Sequence, residues 1–232
     1  MTFLHSYISS GIGMIVNHVG YRIHQFVKEL AFKVKNKESV LDVGAGTTPY
    51  RNYFLHCKYV TQDFCHDEYG LNYDHIDIKS EVYEIPVENE SFNYILCTQV
   101  LEHLKYPPKF FQEMNRILKK GGELWLSCPG AWEEHDMPFD FFRYTRSSLK
   151  MLGEESGFKV VRVGTQGGRF IVLGKMIKDL IPGMIKIRSL YTTVYLILFP
   201  IVFPILFILF FLDKFDRNTE LTLNYEAVYK KK

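Results

Sequence analysis

The chain has 232 residues, 47% of them hydrophobic and 16% aromatic, with a formal net charge of +2. That suits one domain of ordinary size with an appendage, and it is too balanced in charge for a protein that grips nucleic acid electrostatically. Cys57, Cys65, Cys97 and Cys128 form no C-x-x-C pair and no zinc spacing, which fits a reducing compartment.

Residues 1–26 have no basic leader region and no unbroken apolar core, so no secretory signal is expected. Their hydrophobes fall at loose helical spacing, which predicts amphipathic helices resting on a protein or membrane surface. From Lys37 short β-branched runs alternate with helical patterns. SVLDVG (39–44), KYVTQDF (58–64), HIDI (75–78), SFNYILCT (91–98) and GGELWLSCP (121–129) read as strands. The helical stretch KYPPKFFQEMNRILKK precedes the fifth, and Lys119-Lys120-Gly121-Gly122 reads as its helix stop. Strands spaced by helices predict a parallel sheet covered on both faces. SSLKMLGEESGF (147–158) is a further helix, and FKVVRVG (158–164) and LTLNYEAVY (221–229) are the last strands. GTQGGRF (164–170) lacks the Lys-Ser/Thr of a phosphate loop and reads as a turn.

Asp42-x-Gly44-x-Gly46 directly follows the first strand, where glycines let the backbone turn sharply and approach a ligand. A dinucleotide loop would carry a third glycine where Pro49 stands, and an acid two residues ahead would repel a pyrophosphate. An acid there suits a cationic ligand without phosphate, and S-adenosylmethionine fits. Asp63 at the end of the second strand is placed for the ribose hydroxyls. Asp77-Ile78 at the end of the third strand is placed for the adenine.

VLDVGAGTTPY, TQDF, HIDI, IPVENESFNYILCTQVLEHL and FFQEMNRILKKGGELWLSCPG together resemble class I S-adenosylmethionine-dependent methyltransferases of the type 11 subgroup, over roughly residues 37–164. The resemblance implies an α/β fold with a Rossmann-like sheet of seven strands, the last antiparallel. It also implies cofactor contacts at Asp42, Gly44, Gly46, Asp63, Asp77, Ile78 and near Thr98. Asn93 and Gln99 depart from the family pattern, and extra residues separate Asp77 from Ile85-Pro86.

Methyl transfer from a sulfonium asks mainly for positioning, with a base only when the acceptor is a hydroxyl. His103, after the fourth strand, and His135, on the polar and aromatic stretch 135–144, are the candidate bases. Arg143 and Tyr144 are candidate substrate contacts, although Arg143 also has Asp140 as a partner three residues away. Some related enzymes hold a divalent metal here with two glutamates and a histidine. Glu102, His103 and His135 offer part of such a set, but Gln99 replaces the first carboxylate, so no metal is expected.

Twenty-four residues from Ser189 to Leu212 carry no charge, long enough for one membrane span of about 20 residues. If 221–229 rejoins the sheet, the chain must leave and return on one side, so a helical hairpin broken at Pro200 and Pro204, or an in-plane helix pair, dipping into one leaflet is expected. Lys175, Lys178, Lys186, Arg188, Lys214 and Arg217 put cations at both ends, as two cytoplasmic flanks require. The expected organisation is 1–36 N-terminal helical segment, 37–174 methyltransferase core, 175–218 membrane-contacting insertion and 219–232 returning strand with a basic tail. The expected activity is methyl transfer at the cytoplasmic membrane face to a lipid-linked glycan or isoprenoid-type acceptor, without nucleic acid. A metal-assisted O-methyltransferase on RNA ends and a non-enzymatic membrane-bound scaffold are the alternatives.

Overall fold

The structure, a computed structural model, describes residues 11–65, 72–184, 188–218 and 220–232, with the side chains of 11–13, 181–192 and 195–196 outside that description. The expectations for residues 1–10 and Lys186 therefore lie outside the described residues, as does the Arg188 side chain. In chain order the elements are α1 (Gly11–Val16), α2 (His18–Lys33), β1 (Ser39–Val43), β2 (Lys58–Asp63), β3 (Ile78–Lys79), β4 (Phe92–Thr98), α3 (Pro107–Ile117), β5 (Leu118–Pro129), α4 (Arg146–Glu155), β6 (Phe158–Gln166), α5 (Arg169–Met184), α6 (Arg188–Asp213) and β7 (Asn224–Lys231). They divide between two units: Ile23–Gly164 with Tyr225–Lys232, and Met1–Arg22 with Thr165–Asn224.

The first unit is built on one seven-stranded sheet of order β3-β2-β1-β4-β5-β7-β6, parallel except for the last strand, as the sequence predicts. Its register sets Asp42 beside Thr61 on one side and Leu96 on the other. Every residue of β1 is buried, because helices cover both faces and leave no wet side to alternate toward. Phe110, Phe111 and Met114 of α3 and Leu149 of α4 pack with Ile95, Cys97, Leu126 and Cys128 from the sheet. Tyr229 of β7 lies within this core, and its hydroxyl donates to the Leu149 carbonyl at 3.0 Å. The latter half of α2 belongs here too. Phe26 packs on Trp125 with ring centroids 5.0 Å apart, and Lys33 reaches Glu123 at 2.7 Å. The core thus begins near Ile23 rather than at Lys37.

Two local readings are corrected. The Lys119–Gly122 stretch is no helix stop: α3 ends at Ile117 and β5 begins at Leu118. The glycines form an irregularity instead, with Gly121 at φ +75° and the pairing with β4 shifted between Phe92 and Tyr94. A side chain at Gly122 would stand 2.8 Å from the Asn93 carbonyl oxygen. The third strand is shorter and later than HIDI, and Asp77 precedes it instead of ending it.

The second unit is a helical hairpin inserted between β6 and β7. α5 and α6 meet closely at Gly174, where a Cβ would sit 3.3 Å from Leu206 and 3.7 Å from Leu209. Asp213, closing α6, accepts the Gly168 and Ile171 backbone N–H groups at 3.0 and 3.2 Å, and so caps the start of α5. Pro200 and Pro204 lie inside α6, so the break expected at the prolines is not there. Lys175 is committed to Asp179 at 2.7 Å, and Lys178 donates to the Val16 carbonyl at 3.2 Å. Lys214 and Arg217 remain exposed. Among the described residues, no helix is long and apolar enough to cross a membrane.

Candidate active site

The ends of β1, β2 and β4 and the segments after them enclose a cavity of about 630 Å³. Gly44 lines it in a left-handed conformation (φ +67°), and a Cβ there would meet Val100 Cγ2 at 2.3 Å. Gly46 (φ +50°) has no atom within 4 Å of where a Cβ would stand. Glycine at 44 is demanded by close packing, and at 46 by conformation beside open space. Asp63 lines the same cavity and accepts the Gly46 N–H on Oδ2 and the Cys65 N–H on Oδ1, each at 2.8 Å. These bonds fix the carboxylate while leaving lone pairs on both oxygens for a diol.

Asp42 sits beneath the loop and does not line the cavity. Burial pushes its carboxyl up to about 7, opposed by the hydroxyl of Tyr59 that donates to Oδ2. Tyr50, pushed up to about 12 by burial, bonds Thr98. Asp42 and Thr98 thus belong to a polar cluster supporting the loop. Asp77 accepts the Thr61 N–H and hydroxyl at 2.9 and 2.8 Å, so it ties the β3 approach to β2. Neither Asp77 nor Ile78 lines the cavity. Glu81 and Val82 do, an acid beside an apolar side chain. The residues between Asp77 and Ile85-Pro86 were the signal, since they carry the chain past the strand end before the wall is built. Phe64, Tyr83, Tyr106 and Phe141 complete an aromatic lining without a spacing of its own in sequence.

At the end of β4, Gln99 takes a left-handed conformation (φ +55°), and its side-chain amide donates to Ser127 Oγ at 3.2 Å. The turn then places Glu102 and His103. His103 lines the cavity, with Nδ1 2.8 Å from the Phe139 carbonyl oxygen. A carbonyl only accepts, so Nδ1 carries the proton and Nε2 presents a lone pair. Burial lowers the His103 pKa and keeps the ring neutral. His135 stands against it, ring centroids 5.0 Å apart. Glu102 is fully buried, which pushes its carboxyl up to about 8.

The proposed substrate contacts are engaged elsewhere. Arg143 grips Asp140 through two bonds of 2.6 Å and donates to the Trp132 and Glu133 carbonyls at 3.0 and 2.6 Å. It organises the loop after β5 and does not line the cavity. Tyr144 is a core residue whose hydroxyl donates to the Leu101 carbonyl at 3.0 Å.

A family model described as a methyltransferase domain matches residues 15–163. The chain belongs to that methyltransferase family, and it is an S-adenosylmethionine-dependent methyltransferase. Comparison with the curated proteins finds no match. Among solved structures, the [4+2]-cyclase SpnF is 16% identical with a TM-score of 0.59, over 92% of this chain and 82% of that one. The YcgJ protein from Bacillus subtilis is 14% identical with a TM-score of 0.55, over 90% and 99%. A phosphoethanolamine N-methyltransferase 2 from Haemonchus contortus, solved with S-adenosyl-L-methionine, is 16% identical with a TM-score of 0.52, over 85% and 49%. At such identities the likeness is one of fold, and the cyclase illustrates that one fold serves several reactions. The cofactor fits this chain's own cradle: two left-handed glycines, open space at Gly46, and an oriented carboxylate at Asp63.

Proposed function

We propose that this methyltransferase works at the cytoplasmic face of a membrane, on a lipid-linked glycan or isoprenoid-type acceptor. The outer face of α6 carries the reading. Ile197, Ile201, Ile205, Ile208 and Leu212 recur every three or four residues and are exposed, while Val202, Leu206 and Leu209 are buried. That spacing lines the exposed residues into one apolar stripe, of a kind proteins in water rarely leave bare. A helix with one exposed apolar stripe and an opposite face packed on its neighbour suits seating in the plane of the interface, stripe toward lipid. Lys214 and Arg217, exposed beyond its end, suit anionic headgroups.

Bound S-adenosylmethionine supplies the methyl group on a cationic sulfur. The chain supplies placement: the Gly44–Gly46 turn brings the backbone close, Asp63 orients the cofactor, and Tyr83, Tyr106 and Phe141 exclude water. His103 Nε2 offers a lone pair on the cavity wall, where an acceptor hydroxyl would lose its proton. Vesicle flotation with methyl-labelled cofactor tests the reading. The protein should float with anionic vesicles, and label should enter the lipid extract; a protein that stays with the soluble fraction and labels only soluble acceptors overturns it.

A further inference from the structure

We propose that the helical hairpin unit carries a second ligand site, a cavity lined by Arg22, His18 and Lys214 that binds a phosphate group. The cavity measures about 430 Å³, and its lining lies wholly within the unit formed by Met1–Arg22 and Thr165–Asn224. That is room for a phosphate and part of the body that carries it. It shares no lining residue with the cofactor cavity, and its ligand need not be the methyl acceptor.

The charges around the cavity select an anion. Its two carboxylates are already engaged. Asp213 accepts the Gly168 and Ile171 N–H groups at 3.0 and 3.2 Å. Asp216 accepts the Asn218 N–H at 2.9 Å and pairs with Arg169 at 3.1 Å. The two cations of the lining are not so engaged. Among the described residues Arg22 has no hydrogen bond or ion pair, and Lys214 has only the face of the Phe210 ring, 5.1 Å from Nζ. With Arg169 included, three cations stand against two carboxylates. A guanidinium and an ammonium on one cavity suit phosphate, the first as a two-pronged donor and the second as a point charge.

His18 reports the same potential. Burial, and then the Arg22 guanidinium, hold its pKa down at about 4, and the Arg22 charge outweighs the opposing pull of Asp213. A ring whose proton is repelled stands in a positive field, the condition that draws an anion. The GTQGGRF turn builds another wall. A Cβ at Gly167 would stand 3.1 Å from His18 Cδ2, so the turn packs directly on the ring. The Gly168 and Ile171 amides are taken by Asp213, so side chains hold the anion and the turn does not act as a phosphate loop. Met14, Phe210 and Leu221 give the lining an apolar part for the carbon body attached to the phosphate. A lipid headgroup and a soluble phosphate share this chemistry.

The test is calorimetric titration of the full chain, without S-adenosylmethionine, with inorganic phosphate and separately with monomeric dihexanoyl phosphatidic acid. One equivalent of at least one probe should bind. Tighter binding of phosphatidic acid marks a lipid headgroup, and binding no tighter than that of inorganic phosphate marks a soluble source. Arg22→Gln should weaken binding about 10-fold or more, and so should Lys214→Gln, an exposed change that keeps the test open if the first variant misfolds. Arg217→Gln removes an exposed cation outside the cavity and should leave affinity within about twofold; circular dichroism checks each fold. Failure of both probes to bind overturns the proposal. So does binding unchanged in folded Arg22→Gln or Lys214→Gln, or binding weakened as much by Arg217→Gln.

Discussion

Gly44→Ala should be markedly more damaging than the same change two residues later. Both positions are left-handed, so each alanine meets a conformational cost of roughly 1–2 kcal/mol. Only at Gly44 does the new methyl collide, 2.3 Å from Val100 Cγ2, adding about 1–3 kcal/mol of overpacking. Gly44→Ala should therefore unfold at lower urea than Gly46→Ala by a difference of about 1–3 kcal/mol, read by the fluorescence of Trp125 and Trp132. Val100→Ala in the Gly44→Ala background should recover much of that difference, with a positive coupling in the double-mutant cycle. Gly46→Ala should lose only the conformational cost of roughly 1–2 kcal/mol, yet also lose cofactor affinity, because its methyl enters open space. Equal unfolding midpoints for the two single variants, or no coupling with Val100, would refute the packing argument.

Asp42 binds its proton more tightly folded than unfolded, so its contribution to stability is full at low pH and is lost as pH rises from its ordinary range toward 7. The change is bounded at about 4 kcal/mol, and Asp42→Asn should flatten the slope of urea midpoint between pH 4 and 7; an unchanged slope counts against a buried acid. Asp63→Ala should weaken S-adenosylmethionine binding 10- to 100-fold in calorimetry, since it removes the oriented carboxylate and frees the Gly46 and Cys65 amides; unchanged affinity would place the cofactor elsewhere. Arg143 holds the Asp140 carboxyl below its usual range, so their mutual stabilisation is complete above about pH 4 and fades on acidification. Arg143→Lys cannot reproduce the two-pronged grip and should cost about 1.5–3 kcal/mol at pH 7 by urea denaturation; a loss under 0.5 kcal/mol would contradict it.

The sheet was legible in the sequence because its strands are short apolar runs bounded by glycines and helices, a pattern local enough to read directly. The return of 221–229 was legible from alternation alone, and β7 indeed lies between β5 and β6. The hairpin turn was not, because the need to leave and return on one side was met by placing a break at Pro200 and Pro204, whereas α6 packs on α5 and continues through both. Within the site, Gly44, Asp63 and His103 follow strand ends directly and could be placed by register. Glu81 could not, because it sits three residues past Ile78 on a connection whose path no period specifies. Tyr144 was misread for a related reason: polar and aromatic composition marks a functional stretch without saying which side chains turn inward.

The most direct measurement is transfer of label from methyl-labelled S-adenosylmethionine to native membrane lipids by wild-type protein and by Asp63→Ala. Label in the organic phase that depends on Asp63 is the result expected. Label confined to soluble acceptors, or transfer indifferent to Asp63, would contradict the account.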